Sequence, residues 1–352
     1  MYILLGIIGV FSAGIINSTF VIPTKHIRKI PQSVMWFIFG FVGFIICNIL
    51  FYLFLDGTQL DSFFLSRYLP KRYILILISC CMGWGIGLVC FCYAVKYVGI
   101  GVALPINIGI GTAGCSLLSL ICVHPKKLFT ISGLLIILAV ILFVIGVILY
   151  GIAANRRDKI NRKNNLTNKY VLLGIFLSFF CGMLMALQGT SYIYCVDGIV
   201  DFTTQRSMFW INCAPLAITY LMAGIPYCLY YLIQSLRMSS SLIQDVRTVF
   251  TDYTVFKEVM LSALMGVTYF FSGAIVFSTS VAIMPERYSV LIAVPVYVIS
   301  IAIGSNIWGF VYNEWQGCDR SIISKVLYGL ILFVMAIVII GISSYIDIFN
   351  SA

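Results

Sequence analysis

Charged residues are scarce in this sequence of 352 residues: they make up 10% of the chain, whereas 61% of its residues are hydrophobic. Soluble globular domains carry charges at about a quarter of their positions, so this composition excludes an ordinary water-soluble fold. An excess of apolar side chains on this scale predicts an all-α integral membrane protein, in which each crossing of the bilayer needs about 20 apolar residues.

Apolar stretches of that length recur along the whole chain and predict ten transmembrane helices. Their predicted bounds are 2–22, 34–55, 73–95, 99–123, 128–153, 170–194, 207–233, 258–284, 288–312 and 321–346. The first stretch begins without a basic region in front of it, so we predict a retained helix rather than a cleaved signal peptide. No long soluble domain remains between the predicted helices.

Acidic residues are also rare, and none of the twelve lies in the middle of a predicted helix. Intramembrane enzymes use paired acids, a zinc-binding His-Glu-x-x-His motif or nucleophile sets inside the membrane. The nearest feature here is Asp197 and Asp201, four residues apart in one loop, which we interpret as solvated acids. With two histidines and no Cys-x-x-Cys, we expect no enzyme activity, no metal and no cofactor.

Basic residues lie between the apolar stretches, where they act as topology signals rather than as a nucleic-acid surface. The odd-numbered loops hold 15 Lys and Arg and the even-numbered loops hold 7. This predicts cytoplasmic odd loops and both termini on the outer face. If the basic run at 155–169 is only a solvated charged segment, the balance falls to 9 against 7.

Cysteine is frequent, but ten of the twelve cysteines fall inside predicted helices. Cys195 and Cys318 are predicted to lie in loops on opposite sides of the membrane, where they cannot pair. We interpret the cysteines as small packing residues.

Glycine and proline patterns suggest an internal repeat. Leu5-Gly6-Ile7 followed by Ala13-Gly14 recurs as Leu173-Gly174-Ile175 followed by Cys181-Gly182. Met82-Gly83 recurs as Met265-Gly266, and the segment ending in Pro105 resembles the one ending in Pro295. Small residues at such spacings occur in any packed membrane helix, so no single match is evidence of a repeat. The repeat is indicated by the fact that the three matches follow in the same order along both halves of the chain.

The repeat predicts two halves of five helices, 1–153 and 170–352, joined by a basic connecting loop at 154–169. An odd number of helices in each half forces the second half to insert upside down. Inverted repeats are typical of secondary transporters, which bind their substrate near the bilayer midplane. Pro105 and Pro295 are then expected to break helical hydrogen bonds at equivalent places, although two ordinary proline kinks explain them equally well.

Several runs also resemble the L-rhamnose–proton symporter family of the drug/metabolite transporter superfamily. These runs are Met82–Gly87, Tyr93–Gly99, Pro23–Lys29, Leu261–Gly266, Pro285–Tyr288 and Asn313–Gly317. The resemblance implies ten helices in two inverted bundles and proton-driven uptake of a deoxysugar across the bacterial inner membrane. Its partners would be a neutral monosaccharide, protons and membrane lipid, with no nucleic acid. The alternatives are a related carrier of another small solute without proton coupling and, less favoured, an intramembrane enzyme.

A neutral sugar needs hydrogen-bonding groups for its hydroxyls and aromatic rings for its C–H faces, in a mostly apolar pocket. Within the helices expected to line the pathway, the predicted substrate-binding residues are Asn17, Trp84, Asn107, Gln188, Tyr269 and Tyr297. Bonds between helices would satisfy the buried amides equally well, Trp84 could be a packing wedge, and the tyrosines could be interfacial anchors.

Proton coupling needs a titratable group that faces each side of the membrane in turn. Glu286 and Glu314, which flank the ninth predicted helix, are the first candidates, and Lys25 and His26 after the first helix are the next. For Glu286, a local ion pair with Arg287 or a helix-end charge is the competing interpretation.

Overall fold

The computed structural model describes residues 2–53, 71–122, 125, 128–160, 168–200, 208–238, 251–283 and 286–351. Regular structure in these ranges is entirely helical, without a strand. Eight of the helices are long and apolar enough to cross a membrane. The part of the chain that the structure describes is therefore that of an all-helical, multi-pass membrane protein, which confirms the prediction of an all-α integral membrane protein.

The first half of the chain forms α1 to α5. Their bounds are Tyr2–Thr19 (α1), Gln32–Gly40, Phe41–Ile46 and Cys47–Leu53 (α2, with a π-helical middle), Lys71–Val98 (α3), Ile100–Cys122 (α4) and Ile131–Ile160 (α5). A short 3-10 turn, Ile22–Lys25, follows α1.

The second half forms α6 to α10. Their bounds are Asn168–Val200 (α6), Met208–Met238 (α7), Tyr253–Phe270, Phe271–Phe277 and Ser278–Ile283 (α8, with a π-helical middle), Glu286–Val311 (α9) and Arg320–Ser351 (α10). Each predicted stretch coincides with one helix, but α7 and α9 are not among the eight candidate spans of the described residues.

Two local expectations differ from the structure. The connecting loop predicted at 154–169 is helical up to Ile160 and again from Asn168. Cys195 lies buried inside α6 rather than in a loop, because α6 extends beyond the apolar stretch. Pro105 lies within α4, which continues through it, and a proline there has no N–H to donate to the helical hydrogen bonds.

The two π-helical segments were not predicted and lie in helices that cross each other. A Cβ atom on Gly43 of α2 would lie 2.9 Å from the carbonyl oxygen of Gly266 in α8. Only glycine at both positions allows the two backbones to approach this closely. π-Helical turns are frequent at functional sites, so the place where α2 and α8 cross points to the site described below.

Helix neighbours define the architecture. Helix α1 packs on α8 and α9, and α6 packs on α3 and α4. Helix α2 packs on α8, α3 packs on α7, and α5 packs along α10. Large apolar side chains cover the outside, for example Leu53, Ile131 and Leu172, which are 74%, 69% and 69% exposed. Such an exterior suits lipid contact rather than water.

Candidate functional site

A buried hydrogen bond joins two helices that are far apart in the sequence. The side-chain amide of Asn17, near the end of α1, donates to the hydroxyl of Ser272 in the π-helical part of α8, at 2.9 Å. The Ser272 hydroxyl in turn donates to the carbonyl oxygen of Tyr269, at 2.8 Å. Asn17 and Ser272 are 7% and 0% exposed, so both are removed from bulk water.

Tyrosine side chains surround this bond. The Tyr297 side chain of α9 lies beside that of Ser272. A Cβ atom on Gly273 would lie 2.5 Å from the hydroxyl of Tyr220 and 3.7 Å from that of Tyr297. The rings of Tyr220 and Tyr269 meet edge to face, with centroids 6.0 Å apart. We call Asn17, Tyr220, Tyr269, Ser272 and Tyr297 the central cluster.

Aromatic rings form one wall of the central cluster. The ring of Phe44 lies 5.6 Å from that of Tyr269 and 5.9 Å from that of Tyr220. Trp84 of α3 lies 6.3 Å from Phe44 and 6.4 Å from Tyr220, measured between ring centroids. The indole N–H of Trp84 is buried and has no hydrogen-bond partner among the described residues. A buried, unpartnered donor beside hydroxyls is suited to a polar ligand.

The six predicted substrate-binding residues divide into two groups. Asn17, Tyr269 and Tyr297 belong to the central cluster, and Trp84 joins it through its rings. Asn107 is 5% exposed, and its side-chain oxygen has no partner among the described residues. Gln188 is half-buried in α6. The contacts described for the chain do not bring Asn107 or Gln188 into the central cluster.

Tyr220 and Ser272 were missed by the sequence reasoning. Tyr220 is one of 21 tyrosines, and Ser272 lies in an unremarkable apolar run. The signal available for Ser272 was its neighbour Gly273, which leaves room for the Tyr220 hydroxyl.

Residues from the five odd-numbered loops contact one another at one end of the molecule, which we call the odd-loop end. Its principal feature is Glu314, whose side chain is 7% exposed. The carboxylate accepts hydrogen bonds from the Lys25 ammonium group at 3.0 Å and from the backbone N–H groups of Ile100 and Gly101 at 3.2 and 2.9 Å. We call this arrangement the Glu314 clasp.

Local sequence positions Glu314 at the end of α9. Asn313 adopts a left-handed backbone conformation, with φ of 55°. The N–H of Glu314 donates to the carbonyl oxygen of Gly309 at 2.9 Å, and the N–H of Asn313 donates to that of Phe310 at 3.0 Å. These bonds form a Schellman motif, which ends the helix and turns Glu314 toward α4.

On the α4 side, Gly99 is the residue that makes room for the carboxylate. It ends α3 with a φ of 78°, a conformation that favours glycine. A Cβ atom there would lie 2.8 Å from a carboxylate oxygen of Glu314. The N-terminus of α4, which carries a partial positive charge, is thereby open to this anion.

Trp315 packs beside the clasp. A Cβ atom on Gly101 or on Gly309 would lie 3.2 Å from its indole nitrogen. The buried guanidinium of Arg157 lies 5.0 Å from the centre of its ring and donates to the carbonyl oxygen of Val98 at 2.8 Å. This cation–π contact connects the end of α5 to the loop after α9.

The segment between α1 and α2 is held by two further acids. The carboxylate of Glu258 accepts the backbone N–H groups of Arg28, Lys29 and Ile30 at 3.0, 2.8 and 2.9 Å. Lys29 pairs with Asp252 at 2.9 Å. The hydrogen bond from Lys29, together with that from the N–H of Thr254, lowers the pKa of Asp252 to about 2.

The four residues predicted to take part in proton coupling come together only in part. Lys25 and Glu314 contact each other, and the His26 imidazole lies 3.1 Å from the Tyr312 hydroxyl. Glu286 begins α9, and its side chain lies outside the described part of the structure.

The chemistry of the central cluster is neutral. It offers hydroxyl and amide groups and aromatic faces, and no charged side chain belongs to it. The described residues contain no group of three or more His, Cys, Asp or Glu arranged to hold a metal ion. No protein-family model matches this sequence, and neither does any curated protein.

Proposed function

We propose that this protein is a secondary transporter for a neutral, hydroxyl-bearing solute that binds at the central cluster. The observation that carries the proposal is the buried group of an amide and four hydroxyls between α1, α7, α8 and α9. Hydroxyls and amides can both donate and accept, which matches the alternating needs of a sugar hydroxyl. The aromatic wall of Phe44 and Trp84 suits the C–H face of a sugar ring.

Close helix contacts support an inverted-repeat architecture. A Cβ atom on Gly14 would lie 2.6 Å from the carbonyl oxygen of Tyr297, and one on Gly182 would lie 2.8 Å from that of Asn107. Gly14 and Gly182 are matched positions of the sequence repeat. Tyr297 and Asn107 each lie two residues after the matched prolines. The same contact thus occurs twice, once in α1 with α9 and once in α6 with α4.

A second pair of matching contacts occurs between α5 and α10, the last helices of the two proposed halves. A Cβ atom on Gly146 would meet Phe333 at 2.6 Å, and one on Gly329 would meet Tyr150 at 2.8 Å. Tyr150 and Phe333 each follow their own glycine by four residues, and their rings stack at 5.4 Å. Each helix therefore places a glycine against the aromatic ring of the other helix.

The packing of neighbouring helices also agrees with the proposed repeat. Replacing each helix by its proposed repeat partner converts the contacts of α6 with α3 and α4 into those of α1 with α8 and α9. It also converts the contact of α3 with α7 into that of α8 with α2. These correspondences support ten spanning helices in two inverted halves, the architecture that underlies alternating access in secondary transporters.

The resemblance to L-rhamnose–proton symporters supports L-rhamnose as the solute and protons as the driving ion. Uptake into the cell through a bacterial inner membrane, with the odd loops in the cytoplasm, belongs to the same proposal. Glu286 and Glu314 are the proposed proton carriers. A carrier of the same kind without proton coupling is the second candidate, favoured by the engagement of Glu314 with three donors outside the central cluster.

Uptake of labelled L-rhamnose tests the proposal, in cells that lack their own carrier and that are shown to hold the protein in the membrane. Competing unlabelled monosaccharides and a protonophore complete the experiment. We expect uptake that L-rhamnose competes and that the protonophore abolishes. Uptake that persists with the protonophore selects the uncoupled carrier. Absence of uptake and of competition contradicts the sugar assignment.

A further inference from the structure

We propose that the Glu314 clasp is a latch that holds the odd-loop end of the transport pathway closed. The inference rests on the proposed alternating access, because a latch matters only if two parts of the molecule separate there. It concerns the conformational change and not the identity of the solute.

The proposal assigns the helices around the central cluster to two groups that move apart. One group contains α3, α4, α6 and α7, with α6 packed on α3 and α4 and α3 packed on α7, and the other contains α1, α2, α8 and α9, with α1 packed on α8 and α9 and α2 packed on α8. The two groups meet where α4 packs on α9 and where α2 packs on α7. Glu314 follows α9 and belongs to the second group, whereas Ile100 and Gly101 begin α4 in the first. The two hydrogen bonds from these N–H groups to Glu314 therefore cross between the groups.

The charge of Glu314 stays compensated whether the latch is closed or open. Lys25 follows α1 and belongs to the same group as Glu314, so the ion pair moves as one unit. Opening then removes the carboxylate only from the two N–H groups of α4, which water can satisfy at an opened helix end. A charge that is 7% exposed would otherwise be costly to move.

Trp315 and Arg157 add a seal to the same boundary. Trp315, from the second group, lies against Gly101 of the first, and Arg157 at the end of α5 stacks on its ring. The indole ring thus fills the space beside the latch that water would need to enter.

The contacts that Glu258 and Lys29 make at this end do not cross the boundary between the groups, unlike the contact of the Ser33 hydroxyl of α2 with the Met238 sulfur of α7 at 3.9 Å. The contacts of Glu258 with the N–H groups of residues 28–30, and of Lys29 with Asp252, all join α8 to the segment between α1 and α2. Those elements belong to a single group. Breaking the Lys29–Asp252 pair should loosen that group internally without opening the boundary, which makes Lys29→Ala a matched control for Glu314→Ala.

The test measures access to the central cluster and needs no solute. A cysteine introduced as Ser272→Cys serves as reporter, and a charged, membrane-impermeant methanethiosulfonate is added to sealed vesicles of either orientation. Peptide mapping by mass spectrometry assigns the modification to residue 272, so the native cysteines do not interfere. Modification of Cys318, which lies at the odd-loop end, identifies the vesicles that expose this end.

We expect Glu314→Ala to raise the modification rate of residue 272 from the odd-loop end at least tenfold, and Lys29→Ala to leave it within twofold of the parent protein. An equal rate in Glu314→Ala and the parent overturns the latch. If Glu314→Ala does not fold, Glu314→Gln replaces it: the amide keeps one acceptor but loses the charge, and an increase of at least threefold is expected. An unchanged rate in folded Glu314→Gln likewise overturns the proposal.

This result is separable from the function assay. A faster reaction in Glu314→Ala together with absent L-rhamnose uptake would leave the latch standing and reject the solute. An unchanged reaction together with proton-driven uptake would reject the latch and leave the transporter.

Discussion

Asn17 and Ser272 lie 255 residues apart in the chain, yet the amide of Asn17 donates to the Ser272 hydroxyl at 2.9 Å. The bond joins α1 to the π-helical part of α8, and the hydroxyl-bearing rings of Tyr220, Tyr269 and Tyr297 gather around it. A buried amide in a membrane protein must find a partner. Here the partner is also part of the proposed solute site, so the bond both packs the helices and orients polar groups.

The matched glycines Gly14 and Gly182 should respond alike to substitution. In Gly14→Ala and Gly182→Ala the new Cβ atom would meet a carbonyl oxygen at 2.6 and 2.8 Å, forcing the helices apart. We expect each change to destabilise the protein by about 1–3 kcal/mol, seen as a lower Tm in detergent. Gly341→Ala is the control, because its Cβ atom would meet nothing within 4 Å. A similar loss of Tm in all three variants would contradict the packing argument.

Glu258 should contribute strongly to stability through its backbone partners. Glu258→Ala leaves the N–H groups of Arg28, Lys29 and Ile30 without their acceptor, at a cost of about 2–4 kcal/mol. Thermal unfolding followed by tryptophan fluorescence measures the change. The exposed neighbour offers a control, Lys257→Ala, which should shift Tm by no more than about 1 °C. Equal Tm values for the two variants would show that these bonds do not hold the segment.

The Lys29–Asp252 pair should be insensitive to pH over the physiological range. The pKa of Asp252 is lowered from 3.8 to about 2, so its contribution to stability is fully present above pH 3.8 and is lost as the pH falls through about 2. We expect the difference in Tm between the parent and Asp252→Asn to be constant from pH 5 to pH 8 and to shrink only below about pH 4. A difference that changes between pH 5 and pH 8 would contradict this assignment.

The helices were predictable because hydropathy is a local property of the chain. Each apolar stretch that the sequence predicts coincides with a helix, and the errors lie at ends such as Ile160 and Cys195, where polar residues continue a helix beyond the apolar core. Hydropathy has no means of locating such ends.

The candidate site was predictable only in part because it depends on contacts between distant residues. Asn17, Tyr269 and Tyr297 were found as polar or aromatic residues in apolar helices, and Lys25 and Glu314 as charges at helix ends. That Lys25 pairs with Glu314, 289 residues away, depends on the packing of α1 against α9. Tyr220 gave no local signal, and Ser272 had only its neighbour Gly273 as one, since the π-helical turn that presents Ser272 lies where α2 and α8 cross.

The most direct test of the central cluster as a transport site removes its hydroxyls one at a time. Tyr269→Phe and Tyr297→Phe keep the rings but lose the groups that would bond the solute, and Tyr170→Phe removes a hydroxyl at the odd-loop end, away from the cluster. L-Rhamnose uptake is measured in proteoliposomes with an imposed proton gradient, at several sugar concentrations. We predict that each of the first two variants raises KM about tenfold, equivalent to about 1.4 kcal/mol, with Tm within about 3 °C of the parent. The third should leave KM unchanged. A KM unchanged in Tyr269→Phe and Tyr297→Phe, in protein that transports L-rhamnose, would place the solute elsewhere.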